Sequence, residues 1–176
     1  MSEPRTDGLR PMTEIQIQQT RDFVDSLNEK CETYWDMVEV GDVLSRDLVI
    51  TPELVILYAD GVEDYNPWYE GWAMNTWAVA GDSPFGGAIV PPMLVSHFVL
   101  CVQFDHTKPF AIGSIHTFHD SEIFAPIPVG ATVRITATAI DKFIKRERRY
   151  VRHEVTVTDV DSELLYLRET RDILSR

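Results

Sequence analysis

Four polar side chains able to take, give or steer a proton, Glu63, Asp64, Asn66 and Tyr69, fall within seven residues of one another. Pro67 stands among them. Its ring fixes its own φ and pushes Asn66 away from the α region, so the turn is stiff, and a stiff polar turn can hold a catalytic acid in place. A second candidate group is the run Ile115 to Glu122, with His116 and His119. Three residues apart on a regular strand, the two histidines face opposite sides and cannot both enter one pocket. The same parity argues against a zinc site. Which of the two faces a pocket stays open, and for each the alternative is a polar residue on a solvent or interface face. The chain holds no Gly-x-Ser-x-Gly, phosphate loop, dinucleotide fingerprint or Cys/His metal cluster, so no metal and no cofactor is expected.

The elements that must position these groups are legible. Before the polar turn, Thr51 can cap free N–H groups, Pro52 suits a first helical position, Glu53 complements the positive end of the dipole, and Gly61 is a natural stop. Residues 92 to 104 are apolar on nearly every side, which predicts a helix buried all round. Pro91 and Pro92 set its start, and the free N–H groups of Met93 and Leu94 form a positive end suited to a carbonyl oxygen gathering negative charge. His97, one turn in, reads as a satisfied core residue. Between the two, residues 70 to 88 form an irregular loop with Trp72 and Trp77, which together with Trp68 either walls an acyl pocket or packs at a subunit interface.

Downstream the period changes to two. Segments 113 to 124, 131 to 140, 148 to 159 and 163 to 173 read as strands, and 43 to 50 as a first one. Successive strands after one wholly apolar helix imply an antiparallel sheet curled round it, an α+β hot-dog architecture. Residues 1 to 12 read as a mobile arm, and 13 to 176 as a single domain in which 13 to 33 form an amphipathic N-terminal helical extension.

Tyr58-Ala59 followed by Glu63-Asp64-Tyr65-Asn66-Pro67-Trp68-Tyr69 resembles the signature turn of MaoC-like (R)-specific hydratases and dehydratases: an aromatic, then Gly-Asp-x-Asn-Pro-x-His. Tyr34 to Val43, Phe85 to Leu94 and Phe124 to Thr132 resemble further segments of that family in the same order, so the likeness spans residues 35 to 172. The resemblance implies a hot-dog fold, Asp64 as general acid/base, and Asn66 positioning water or a hydroxyl. It implies Trp68, Pro92, Met93 and His119 around the substrate, and His116 as a replacement base on the strand after the central helix. Two positions depart from the family pattern. Tyr69 stands where a catalytic His is usual, and Pro92, which has no N–H, stands where a Gly N–H binds the thioester carbonyl. The pairing is similar to an Asn-Pro-x-Tyr subgroup. A tyrosine with a pKa of about 10 is a poor base at neutral pH but a good donor, so Tyr69 orients or donates.

The implied activity is hydration of a 2-enoyl thioester, or dehydration of a 3-hydroxyacyl thioester, of coenzyme A or a carrier protein. Two alternatives stand beside it: a non-catalytic hot-dog subunit partnering an active hydratase, and a tailoring enzyme of different reaction type using the same pocket. Hot-dog units leave a sheet edge, so a homodimer, a higher homo-oligomer, or a hetero-oligomer with a second hot-dog subunit is expected.

Composition bounds the rest. The 176 residues, 44% hydrophobic, suit one core. A net charge of −12 argues against nucleic acid, and no apolar run approaches the ~18 residues of a membrane span. Cys31 and Cys101 lie far apart, which predicts free buried thiols, a reducing compartment and a cytoplasmic protein. Lys142, Lys145, Arg146, Arg148, Arg149 and Arg152 cluster around a predicted hairpin, either as a solvated turn or as a landing site for phosphates of coenzyme A or a carrier arm.

Overall fold

The computed structural model describes residues 33–64, 66–70, 83–104 and 114–175, together with residues 14, 18, 21 and 22. In chain order the elements are α1 (Tyr34–Met37), β1 (Val43–Val49), α2 (Pro52–Val62), α3 (Pro67–Glu70), α4 (Pro92–Phe104), β2 (Ile115–Ile123), β3 (Thr132–Lys145), β4 (Arg148–Asp159) and β5 (Leu165–Ser175). The strands form one antiparallel sheet in the order β1-β3-β4-β5-β2, so β1 and β2 are its edges.

Alternation along the strands decides which face is inside. Val133, Ile135, Ala137 and Ala139 on β3, Val151, Val155 and Val157 on β4, and Leu167 and Ile173 on β5 are buried. Against Val133, Ile135, Ala137, Val155, Val157 and Leu167 α4 lays Leu94, Val95, Val99 and Val102 in one cluster with Ile50 and Val55, while Ala139, Val151 and Ile173 cluster with Tyr34 and Val38. Val95 and Val99 are fully enclosed, and each such valine contributes roughly 1.5–3 kcal/mol by leaving water. A helix seated on a curled antiparallel sheet is the hot-dog arrangement that the apolar run and the following period-two segments predict.

The predicted strands all form within two residues of their expected starts, although β3 runs on to Lys145. Two helical expectations need correction. Gly61 does not stop α2: the helix continues to Val62, and the left-handed cap falls to Glu63 at φ 55°. Nor is α4 buried all round, since Met93, His97 and Cys101, four residues apart in turn, form an exposed stripe along it. Cys101, expected as a buried thiol, is therefore exposed; Cys31 lies outside the described residues. Of the N-terminal extension, Glu14, Gln18, Arg21 and Asp22 are helical, and the Gln18 amide donates to Asp22 one turn on at 2.8 Å. The predicted arm and the loop tryptophans Trp72 and Trp77 lie outside the described residues. Among those described, no helix is long and apolar enough to cross a membrane.

Candidate active site and a second cavity

The start of α2 forms as its sequence dictates, with Thr51 Oγ1 accepting from the Leu54 N–H and Pro52 at the first position. Its end is what places Asp64. The Asp64 N–H folds back to the Ala59 carbonyl at 3.0 Å, the six-residue closure of a Schellman end. Asn66 Oδ1 then accepts the Trp68 N–H at 3.0 Å, so the carboxamide oxygen caps α3 and only the amide N–H₂ remains for a ligand. The Trp68 ring meets Phe85 edge-on at 5.3 Å, and the Trp68 carbonyl accepts from the Ile89 N–H at 3.0 Å. The bend is thereby fastened to the segment that enters α4.

Asp64 is exposed, and its charge is felt by two half-buried phenols, Tyr58 and Tyr69. Burial first, and the Asp64 charge second, raise both hydroxyls above their ordinary pKa, so each is a proton donor at neutral pH. Tyr69 and Pro92 line a largely apolar cavity of about 310 Å³, walled further by Phe85, Val90, Phe124 and Leu167. Asp64 and Trp68 are not among its lining residues. At the start of α4 the Leu94 N–H is bonded to the Pro91 carbonyl at 3.0 Å. This leaves the Met93 N–H, which has no partner among the described residues, as the free donor of that turn.

His97 is not a core residue. It is exposed, its ring lies 5.6 Å from that of Tyr58, and its Nδ1 is 2.6 Å from the Met93 carbonyl. A carbonyl only accepts, so Nδ1 carries the hydrogen and Nε2 presents a lone pair.

The two strand histidines overturn the parity argument. His116 pairs with Ile173 and Phe118 with Asp172, so Thr117 is an extra residue, a bulge whose hydroxyl donates to the Asp172 carbonyl at 3.1 Å. The bulge resets the alternation and turns His116 and His119 to one face, their rings 5.4 Å apart. Both line a second cavity, of about 100 Å³, with Met93, Ser96, His97 and Arg171. Among the described residues the two cavities share no lining residue, so the structure groups His116 and His119 with Met93 and leaves them apart from Tyr69 and Pro92.

Behind the histidines runs a buried polar row that the sequence reading missed. His119 lies opposite Arg171 on β5, and Arg171 opposite His153 on β4. Arg171 and Glu169 are each 1% exposed. Arg171 Nε donates to Glu169 Oε2 at 2.8 Å, and Nη2 donates to the carbonyl and hydroxyl oxygens of Ser96 at 2.7 and 2.6 Å. His119 Nε2 stands 3.2 Å from Glu169 Oε1 and 2.7 Å from Ser121 Oγ, which itself donates to Glu169. Burial lowers the pKa of Arg171, with Glu169 opposing the shift, and the guanidinium stays charged. His116 is held below its usual pKa by partial desolvation, then by the Arg171 charge and by His119. A signal was present in the sequence: Leu167, Glu169, Arg171 and Ile173 share one side of β5, so two ionisable residues occupy inward positions of an apolar alternation. Among the described residues no three His, Cys, Asp or Glu side chains gather as a metal site.

Of the basic cluster, three members are engaged locally. Lys142 donates to the Val38 carbonyl at 2.8 Å, Arg149 sits 3.8 Å from Asp36, and Arg152 forks onto Asp172 at 2.7 and 2.8 Å.

No family model matches the sequence, and no curated protein matches it. Solved structures do. The R-hydratase PhaJ1 of Pseudomonas aeruginosa superposes with a TM-score of 0.66 at 17% identity, over 80% of this chain and 84% of that one. The HadBC (3R-hydroxyacyl-ACP dehydratase) complex of Mycobacterium tuberculosis gives 0.65 at 13% identity, over 78% and 98%. A MaoC-like dehydratase of Rhodospirillum rubrum gives 0.63 at 16% identity, over 78% and 92%. At these identities the likeness is one of fold: the chain has the hot-dog fold of these hydratases and dehydratases.

Proposed function

We propose that the chain is a MaoC-like hydratase or dehydratase acting on a 2-enoyl or 3-hydroxyacyl thioester of coenzyme A or a carrier protein. One observation carries the reading. The Asn-Pro bend is fastened to the entry of α4 through Trp68 and Ile89, and it sets Tyr69 on the wall of an apolar cavity beside Pro92. In the hydration direction a water oxygen bonds to C3, a proton reaches C2, and negative charge gathers on the thioester oxygen between. Asp64, as acid/base, takes the proton from that water and delivers it to C2, the Tyr69 hydroxyl donates to or orients the reacting groups, the amide of Asn66 steers the water, and the Met93 N–H receives the thioester oxygen. The hydratases and dehydratases of the same fold support the reaction class.

The test is conversion of crotonyl-CoA, and of a crotonyl carrier protein, by the homogeneous chain and by Asp64→Asn. Turnover by the wild type and its loss in a folded Asp64→Asn is the expected result; a wild-type rate in the variant removes Asp64 from the mechanism.

A second reading is favoured by the exposure of Asp64 in the single chain and by the two-component HadBC complex among the structures of this fold. In it the chain is a partner subunit, inactive alone, and turnover appears only when a second hot-dog chain is added. Activity of the chain by itself excludes this. Either reading calls for a neighbour along β2, whose nine residues are all exposed, and along the Met93, His97, Cys101 stripe of α4.

A further inference from the structure

Apart from the Met93 N–H at its edge, the proposed reaction leaves the second cavity without a task. Its volume of about 100 Å³ exceeds the ~15 Å³ that one water requires. Arg171 lines it, and while Nε and Nη2 are committed to Glu169 and Ser96, Nη1 is buried with no hydrogen-bond partner among the described residues. A guanidinium amino group out of water and unpaired carries its full desolvation cost, so the cavity is built for something that accepts hydrogen bonds. Glu169 cannot fill that role, being turned to Arg171 Nε, Ser121 and His119. What lies at the mouth narrows the chemistry. The bulge at Thr117 presents His116 there, a ring able to donate when protonated. Arg171 is the one Lys or Arg among the described lining residues, which suits a singly charged, planar, two-oxygen acceptor better than a phosphate dianion.

We propose that the cavity between α4, β2 and β5 binds a carboxylate, one oxygen on Arg171 Nη1 and the other on His116. Binding then brings a proton with it, because one ring nitrogen of His116 is already engaged with the Phe118 backbone and the other donates only when the ring is charged, a form the empty site disfavours. The other groups facing it are accounted for. From α4 come Ser96, spent on Arg171, and His97, whose Nδ1 is spent on Met93 and whose Nε2 lone pair offers a carboxylate no hydrogen; from β2 comes His119, and from β5 Glu169, which are paired with each other. The carboxylate has two possible sources, a free small acid or the far end of an acyl chain.

Ring-labelled histidine NMR at constant ionic strength tests the site without requiring turnover, so its outcome is separate from that of the hydratase assay. Sodium acetate is expected to shift the His116 ring signals saturably and to raise the pH at which His116 titrates by about one unit or more. Sodium chloride should do neither. Removing Arg171 alone strands the Glu169 charge, so the double change Glu169→Gln with Arg171→Gln is the informative variant, and it should abolish the acetate response. S-succinyl-pantetheine and S-butyryl-pantetheine distinguish the sources: tenfold tighter binding of the succinyl compound, lost in the double variant, places the carboxylate on the acyl chain. Equal binding of the two, with acetate saturable, identifies a free acid. No saturable response to acetate or to the succinyl compound, or the same response in the double variant, overturns the proposal.

Discussion

The Ile89 N–H donates to the Trp68 carbonyl at 3.0 Å, so the bend and the approach to α4 move as one piece. The stiffness of that piece depends on Asn66, whose side-chain oxygen holds the Trp68 N–H. Asn66→Ala removes a cap and should lower stability by about 1 kcal/mol. If the bend positions the reaction, kcat should fall at least tenfold, well beyond what that loss of folded protein explains, while Asn66→Asp keeps the cap and the stability. Urea melts beside steady-state rates check this; a capless variant with wild-type kcat would separate the bend from the chemistry.

A second prediction concerns acid. His153 is 2% exposed, its Nε2 lies 3.1 Å from the Tyr34 hydroxyl, and burial, helped by the Arg171 charge, depresses its pKa to about 4. Unfolded, the imidazole takes a proton near pH 6.5. From pH 6.5 down to about 4 the unfolded state therefore binds the extra proton, and folding stability falls as pH falls. The full loss is about 3 kcal/mol below pH 4. His153→Gln should flatten the urea-midpoint profile in that window, and an unchanged slope would show that other groups set the acid limb.

The same row shows what was legible in the chain and what was not. β3, β4 and β5 announced themselves because one face of each is buried, and a buried face leaves a two-residue period. The start of α2 was equally plain, since Thr51 and Pro52 act locally. The histidine parity failed because one inserted residue, Thr117, inverts every later facing, and nothing in the types of its neighbours marks the bulge. Gly61 misled because the end of α2 is fixed by where its Schellman closure falls, at Glu63 and Asp64, and a glycine within reach need not be the residue that turns. The exposed stripe of Met93, His97 and Cys101 escaped notice because an exposed apolar surface looks in sequence like one covered by its own sheet.

The β3–β4 hairpin offers a third prediction. Lys145 pairs with Arg148, and the two residues between, Arg146 and Glu147, have φ of 50° and 62°. A two-residue hairpin with both φ positive favours Asn-Gly, and neither residue here suits that conformation. Replacing Arg146-Glu147 by Asn-Gly should stabilise the chain by about 1 kcal/mol, read as a higher urea midpoint with the slope unchanged. The exchange also removes a member of the basic cluster. A phosphate landing site there would show as a raised KM for a coenzyme A thioester with no change for its pantetheine analogue, whereas a solvated turn leaves both KM values alone.

The sheet has two edges, and they differ in how they meet water. β1 carries Ser45, Arg46 and Asp47 at its middle, with Asp47 forked onto Arg134 at 2.8 Å, the polar treatment that keeps an edge from pairing. β2 instead exposes Ile115 at 47%, Phe118 at 46% and Ile123 at 58%, and among the described residues no strand lies beside its outer backbone groups. A second copy joined edge to edge along β2 would pair those groups and cover the three side chains. Sedimentation should then give a particle of about 40 kDa, twice the 20.1 kDa chain. Phe118→Lys with Ile123→Lys sets like charges along the seam and should return the chain to a monomer without unfolding it, since neither residue belongs to the buried core. A wild type that sediments as a monomer at every concentration would mean that β2 is reserved for a different chain, and mixing with a second hot-dog subunit would then be the condition under which the 20.1 kDa species disappears.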